Sequence, residues 1–104
     1  MNPVWKEIAT EEEFARQDRK LVDAGDGRHI VLIKEGNQYY AIGAWCSHGK
    51  ASLAIGEIEG GAIQCPLHGA RFDLKTGKNL SMPATRPIPS YEVKVEMNKI
   101  WALI

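Results

Sequence analysis

The sequence predicts a small all-β fold, an antiparallel sandwich or barrel, carrying a loop-rich middle and one short N-terminal helix. Three observations predict it. Short apolar or alternating runs, separated by turn signals, fill both ends of the chain. The middle, residues 46–89, holds six of the ten glycines and four of the five prolines and has poor periodicity. With 104 residues and 44% hydrophobic content, the chain suits one domain, residues 1–104, with a core of modest size.

The helix comes first. Thr10-Glu11-Glu12-Glu13 has the form of a capping box, and its three glutamates suit the positive end of a helix dipole. Phe14 supplies the apolar face, and the helix is expected to end before Arg19. A strand around residues 20–23 leads into the turn Ala24-Gly25-Asp26-Gly27, which returns through the apolar run His29-Ile30-Val31-Leu32-Ile33-Lys34. Glu35-Gly36-Asn37 turns the chain again into Gln38-Tyr39-Tyr40-Ala41-Ile42. Near the carboxyl end Tyr91-Glu92-Val93-Lys94-Val95 alternates, turns at residues 96–98, and comes back as Lys99-Ile100-Trp101-Ala102-Leu103.

Charge and composition exclude several classes. Lys+Arg and Asp+Glu balance at 13 each, so no basic field calls for nucleic acid. No apolar run approaches the roughly 20 residues of a membrane span. Residues 1–9 have none of the regions of a signal peptide, so a reducing cytoplasm is expected. There, two cysteines are better read as metal ligands than as a disulfide, which would leave the histidines unexplained.

The chemistry lies in two boxes, Cys46-Ser47-His48 and Cys65-Pro66-Leu67-His68, separated by sixteen residues. They use both cysteines and two of the three histidines. Two thiolates and two imidazoles can hold one zinc ion or a two-iron cluster. Structural zinc sites more often pair like with like, C-x-x-C or H-x-x-x-H. Mixed boxes suit a dinuclear cluster, because each loop then spans both irons. Gly49 and Gly69 follow the two histidines and permit left-handed backbone and close approach of amides to sulfur, while Pro66 stiffens the second loop.

C-S-H-G, sixteen residues from His48, and then C-P-L-H-G resembles the Rieske [2Fe–2S] signature. Ser52-Leu53, Gly56, Gly60, Ile63, Phe72, Thr76-Gly77, Pro83, Pro87 and Tyr91 extend the likeness to the small Rieske ferredoxins of bacterial ring-hydroxylating oxygenases. The resemblance covers nearly the whole chain and leaves no room for a catalytic domain. It implies one Rieske-type [2Fe–2S] cluster in a subdomain of about residues 44–89. It places Cys46 and Cys65 on an inner iron, and His48 and His68 on an outer iron at the tip of the domain. It also implies an electron carrier rather than an enzyme. As a monomer, the carrier would take single electrons from a flavin-dependent ferredoxin reductase to a terminal Rieske non-heme iron oxygenase. Gly49, Leu67 and Pro83, small or apolar, form the expected docking rim. Two alternatives remain at this point: a small electron-transfer subunit of another reductase, such as nitrite reductase, and a zinc-stabilised interaction module.

Departures from the pattern bear on potential. The Rieske proteins of respiratory cytochrome bc complexes have a further cysteine in each loop and hydroxyls that bond cluster sulfur. Here Leu67 fills the second box, and Ala70 and Phe72 stand where the hydroxyls would be. A low potential is therefore expected.

Other residues have plainer readings. His29 reads as a surface or edge-strand histidine, Trp45 as a shield at the base of the first loop, and Trp5 and Trp101 as core or sheet-face residues. Ser81-Met82-Pro83-Ala84 resembles the proline-containing loop that covers the cluster in this family. Lys75, Lys78 and Arg86 are equally a basic rim or a scattered solvated set.

Overall fold

The computed structural model describes every residue except 1, 48–50, 68, 83 and 85. Its centre is the expected pair of hairpins. Strands β2 (Arg19–Gly25), β3 (Arg28–Glu35) and β4 (Gln38–Gly43) pair antiparallel in sequence order. The β2–β3 turn is Asp26-Gly27, with φ of 55° and 75°, the left-handed pair that a tight two-residue hairpin needs. β3 explains its own composition. Ile30, Val31, Leu32 and Ile33 are all 0% exposed, because this strand is covered on both faces. A continuous apolar run replaces alternation wherever neither face meets water.

Two cores result. Ile30, Leu32 and Ala41 point to one side, where they meet Ala9, Phe14, Ile100, Ala102 and Ile104. Val31, Ile33 and Ile42 point to the other, where they meet Leu53, Ile63, Phe72, Leu74 and both cysteines. The first core is closed by a terminal sheet of β1 (Trp5–Thr10), β10 (Lys99–Leu103) and β9 (Val93–Glu96), in the order β1-β10-β9. The second is closed by a small sheet of β5 (Glu57–Glu59), β6 (Ala62–Gln64) and β7 (Arg71–Asp73). The architecture is all-β and antiparallel.

The N-terminal helix is as short as expected, whereas the run at 91–95 and the place of His29 differ from the sequence expectation. The N-terminal helix is a single 3-10 turn, Glu11–Phe14. Glu13 takes the Thr10 amide on its carboxylate at 2.7 Å and an ion pair from Lys20 at 2.7 Å. Phe14 is its one buried anchor, which is too little apolar face to carry a longer helix. The Lys20 contact, foremost, and the Thr10 amide hold the Glu13 carboxyl below the usual carboxylate range. That contact therefore favours the fold at neutral pH and is lost as pH falls through the lowered value.

The run at residues 91–95 is divided between two sheets. β8 (Ser90–Tyr91) pairs with β4, whereas β9 pairs with β10. Its alternation is real, but the chain changes sheet at Glu92. The β9–β10 turn is as expected, with Met97 and Asn98 at φ of 50° and 70°. His29 sits on β3, an inner strand of its sheet, not on an edge.

Candidate metal centre

The two boxes sit on loops built alike. β4 ends at Gly43, and Ala44 donates its amide to the His29 carbonyl at 3.0 Å. Leu53 donates to Ala44 at 2.7 Å, Trp45 bridges Ser52, and the Cys46 amide donates to the Ala51 carbonyl at 3.0 Å. In the second loop β6 pairs with β7 through Gln64 and Arg71, and the Cys65 amide donates to the Ala70 carbonyl at 2.7 Å. Each cysteine thus opens a hairpin tip, with its own amide closed onto the carbonyl five residues on.

Close packing sets where the second loop stands. A β-carbon on Gly56 would lie 2.3 Å from the Gln64 carbonyl oxygen, so β5 can approach β6 there only with glycine. On the far side Gly77 has φ of 77°, and a β-carbon there would lie 2.0 Å from the Ile88 carbonyl oxygen. Arg19 reaches from β2 to donate to the carbonyls of Ala54 and Gly56, tying the central sheet to this region.

Both cysteines are buried, and burial separates the two ends of the second loop. Cys46 is 5% exposed and Cys65 2%, in a core with Leu53, Ile63, Ala70, Phe72 and Ala84. Leu67, two residues further along, is 58% exposed. The second loop therefore runs from a buried thiol to a solvent-facing tip. His48 and His68, expected as the other two ligands, lie outside the described residues, as do Gly49 and Pro83 of the expected rim. Among the described residues no three His, Cys, Asp or Glu side chains come together as a metal site. The donors that are described suit a sulfur-bridged cluster: two thiols at equivalent loop positions, enclosed by apolar side chains, with no competing buried polar side chain among the described residues.

A family model for the Rieske [2Fe–2S] domain matches residues 4–92. The chain belongs to this family. With that membership comes a Rieske-type [2Fe–2S] cluster, and the zinc reading falls away. The chain is 49% identical over 73 residues to the 3-phenylpropionate/cinnamic acid dioxygenase ferredoxin subunit of Shigella boydii, covering 69% of each chain. Among solved structures it is similar to the ferredoxin of carbazole 1,9a-dioxygenase from Nocardioides aromaticivorans. There the identity is 31% and the TM-score 0.86, over 99% of this chain and 98% of that one. It is also similar to a chain of the complex of reduced oxygenase and oxidized ferredoxin in carbazole 1,9a-dioxygenase. That match has 29% identity and a TM-score of 0.88, over 96% of this chain and 93% of that one.

Gly69 has the left-handed backbone expected of it, with φ of 79°, and its amide donates to the Cys65 carbonyl at 3.0 Å. Two details of the site were not foreseen. Trp45 is 53% exposed, with its ring edge-on to His29 at 6.4 Å between centroids, so it shields the loop base only in part. Arg86 is exposed but is joined to the first box. Its guanidinium donates to the Ser47 carbonyl at 3.4 Å, and its own carbonyl accepts the Ser47 hydroxyl. An odd-even pattern could not have shown this, because both residues lie in irregular backbone.

Proposed function

We propose that this chain is a ferredoxin that carries single electrons from a flavin-dependent reductase to a terminal Rieske non-heme iron oxygenase. It would act as a monomeric, cytoplasmic component and not as an enzyme. One observation carries the reading: both thiols are buried at equivalent positions of two loops, and the second loop brings its box to an exposed apolar tip within two residues. When bound, the cluster takes up and gives back one electron. The chain's own part is to enclose the two cysteines in a dry core and to carry the second box outward, to exposed Leu67. Cys46 and Cys65 are the proposed ligands of the inner iron, and His48 and His68 of the outer iron. The kinship with dioxygenase ferredoxin subunits supports this reading over a nitrite reductase subunit. No helix among the described residues is long and apolar enough to cross a membrane. The test is reconstitution of the purified protein with a flavin reductase and a ring-hydroxylating oxygenase. Product formation that requires this chain is the expected result, and turnover unaffected by its omission would sink the proposal.

Docking is assigned to the rim expected from the sequence, Gly49, Leu67 and Pro83, of which Leu67 is described and is 58% exposed. Exposed Met82 (74%) and Ile55 (73%) widen the apolar surface of the same subdomain. A charge placed in a desolvated contact loses hydration without a partner. Leu67→Glu should therefore slow electron delivery to the oxygenase about tenfold, a cost of about 1.4 kcal/mol, while leaving the visible spectrum unchanged. Stopped-flow oxidation of the reduced protein checks it, and an undiminished rate would place the contact elsewhere.

A further inference from the structure

Of the three methionines, Met82 and Met97 lie among the described residues, and both are exposed, at 74% and 95%. They belong to different parts of the fold. Met97 sits in the β9–β10 turn, which is fastened to the 3-10 turn where the Glu11 amide donates to the Asn98 carbonyl at 3.0 Å. Met82 belongs to the cluster subdomain. Phe72 and Asn79 form an antiparallel bridge, and Leu80 donates its amide to the Arg71 carbonyl at 2.7 Å. The Ser81 hydroxyl accepts the Arg71 amide at 3.0 Å. Along such a pair residue numbers rise on one side as they fall on the other, so the chain after Ser81 runs toward Gly69. Met82 is thereby carried to the side of the second box, with most of its surface in solvent.

Chemistry sets Met82 apart from its surroundings. Trp45, Ile55, Leu67 and Leu80 are the other exposed large apolar residues described within 44–89, and none has a thioether. The two cysteine sulfurs are buried, at 5% and 2% exposure, and so are screened from a solute in water. We propose that Met82 is a peroxide-sensitive modification site, whose oxidation to the sulfoxide weakens docking and slows electron delivery. The inference rests on the proposed reading of this chain as a carrier that docks through the rim around Leu67. The thioether sulfur attacks one oxygen of hydrogen peroxide, an S–O bond forms, the O–O bond breaks, and water leaves. Sulfur gives up two electrons and the peroxide takes them. The oxidant is what O2 becomes when an oxygenase passes it two electrons and two protons with no substrate to oxidise. A sulfoxide must shed hydration to enter an apolar contact, which a thioether need not do. Peroxide would thus withhold further electrons from the partner that produces it, and sulfoxide reductases would restore the contact.

The experiment uses the loaded protein, with visible absorbance recorded before and after treatment with hydrogen peroxide. Peptide mass spectrometry scores the sulfoxide at Met82 and Met97 separately. Treated wild type should deliver electrons to a ring-hydroxylating oxygenase about threefold to tenfold more slowly in stopped flow, with its cluster absorbance intact. Treatment with the two methionine sulfoxide reductases, one for each epimer, should return the untreated rate. Met82→Leu, whatever its starting rate, should keep that rate after peroxide. Met97→Leu should slow on treatment as the wild type does. Met82→Gln, polar without any oxidant, should be as slow as treated wild type from the start. An unchanged rate with Met82 fully oxidised, an equal loss in treated Met82→Leu, or cluster loss before any sulfoxide forms at Met82 would overturn the proposal. Untreated wild type that delivers no electrons would sink the carrier reading instead, a distinct outcome.

Discussion

Replacing His68 with Cys should abolish the Rieske-type paramagnetic signal of the reduced protein or convert it into that of a cluster held by three thiolates and one imidazole. The side chain changes from a neutral imidazole to a thiolate, so the iron it holds gains one negative charge. Further reduction of that centre becomes harder, and its potential should fall. The cysteine side of the site offers the contrasting variant. Cys65 is 2% exposed and opens the second loop through its amide bond to Ala70. Cys65→Ala keeps that main-chain bond but removes a thiolate from the dry core, so iron and sulfide should be lost together. Iron and sulfide analysis with paramagnetic spectroscopy reads both variants. An unchanged signal in His68→Cys would remove His68 from the site, and full iron content in Cys65→Ala would do the same for Cys65.

The parts of this fold that could be read from sequence are those whose code is local. The Asp26-Gly27 turn announces itself because few residue pairs tolerate two left-handed positions in succession. β3 and β10 are legible because burial leaves an apolar or alternating trace. Locality also explains the failures. β5, β6 and β7 are three residues each, too short for any period to show, and their place is set by contacts such as Gly56 against Gln64. β1 was missed because its edge position leaves Trp5, Lys6 and Glu7 exposed, so only Ala9 marks the core side. The two cysteines stand out in the sequence through their spacing, since ligand chemistry restricts residue type more than packing does, and the fold buries both in one core. The Ser47–Arg86 contact was not, because it joins positions 39 apart in the chain through a hydroxyl and a carbonyl. A serine carries no signal of its partner.

The reduction potential should lie near the low end of the Rieske range, on the order of −150 mV rather than +300 mV. Donors to sulfur raise the potential because they favour the more negative reduced state. In this chain the amides of Cys46, Cys65 and Gly69 are already committed to main-chain carbonyls. Ala70 and Phe72, both 0% exposed, bring no hydroxyl into the core around the cysteines. The double change Ala70→Ser, Phe72→Tyr should raise the potential if both hydroxyls reach sulfur. A hydrogen bond to a charged group contributes about 1.5–3 kcal/mol. With a tenfold change in equilibrium equal to about 59 mV for one electron, each donor is worth roughly 60–130 mV at most. The burial that makes the substitution informative also makes it costly. A hydroxyl that finds no partner in this core destabilises the fold by about 1–3 kcal/mol, so a lower melting temperature without a rise in potential would mean that the ring does not face the cluster. Protein-film voltammetry of the wild type decides the first claim: a clearly positive potential at neutral pH would exclude a low-potential carrier, whatever the double variant does.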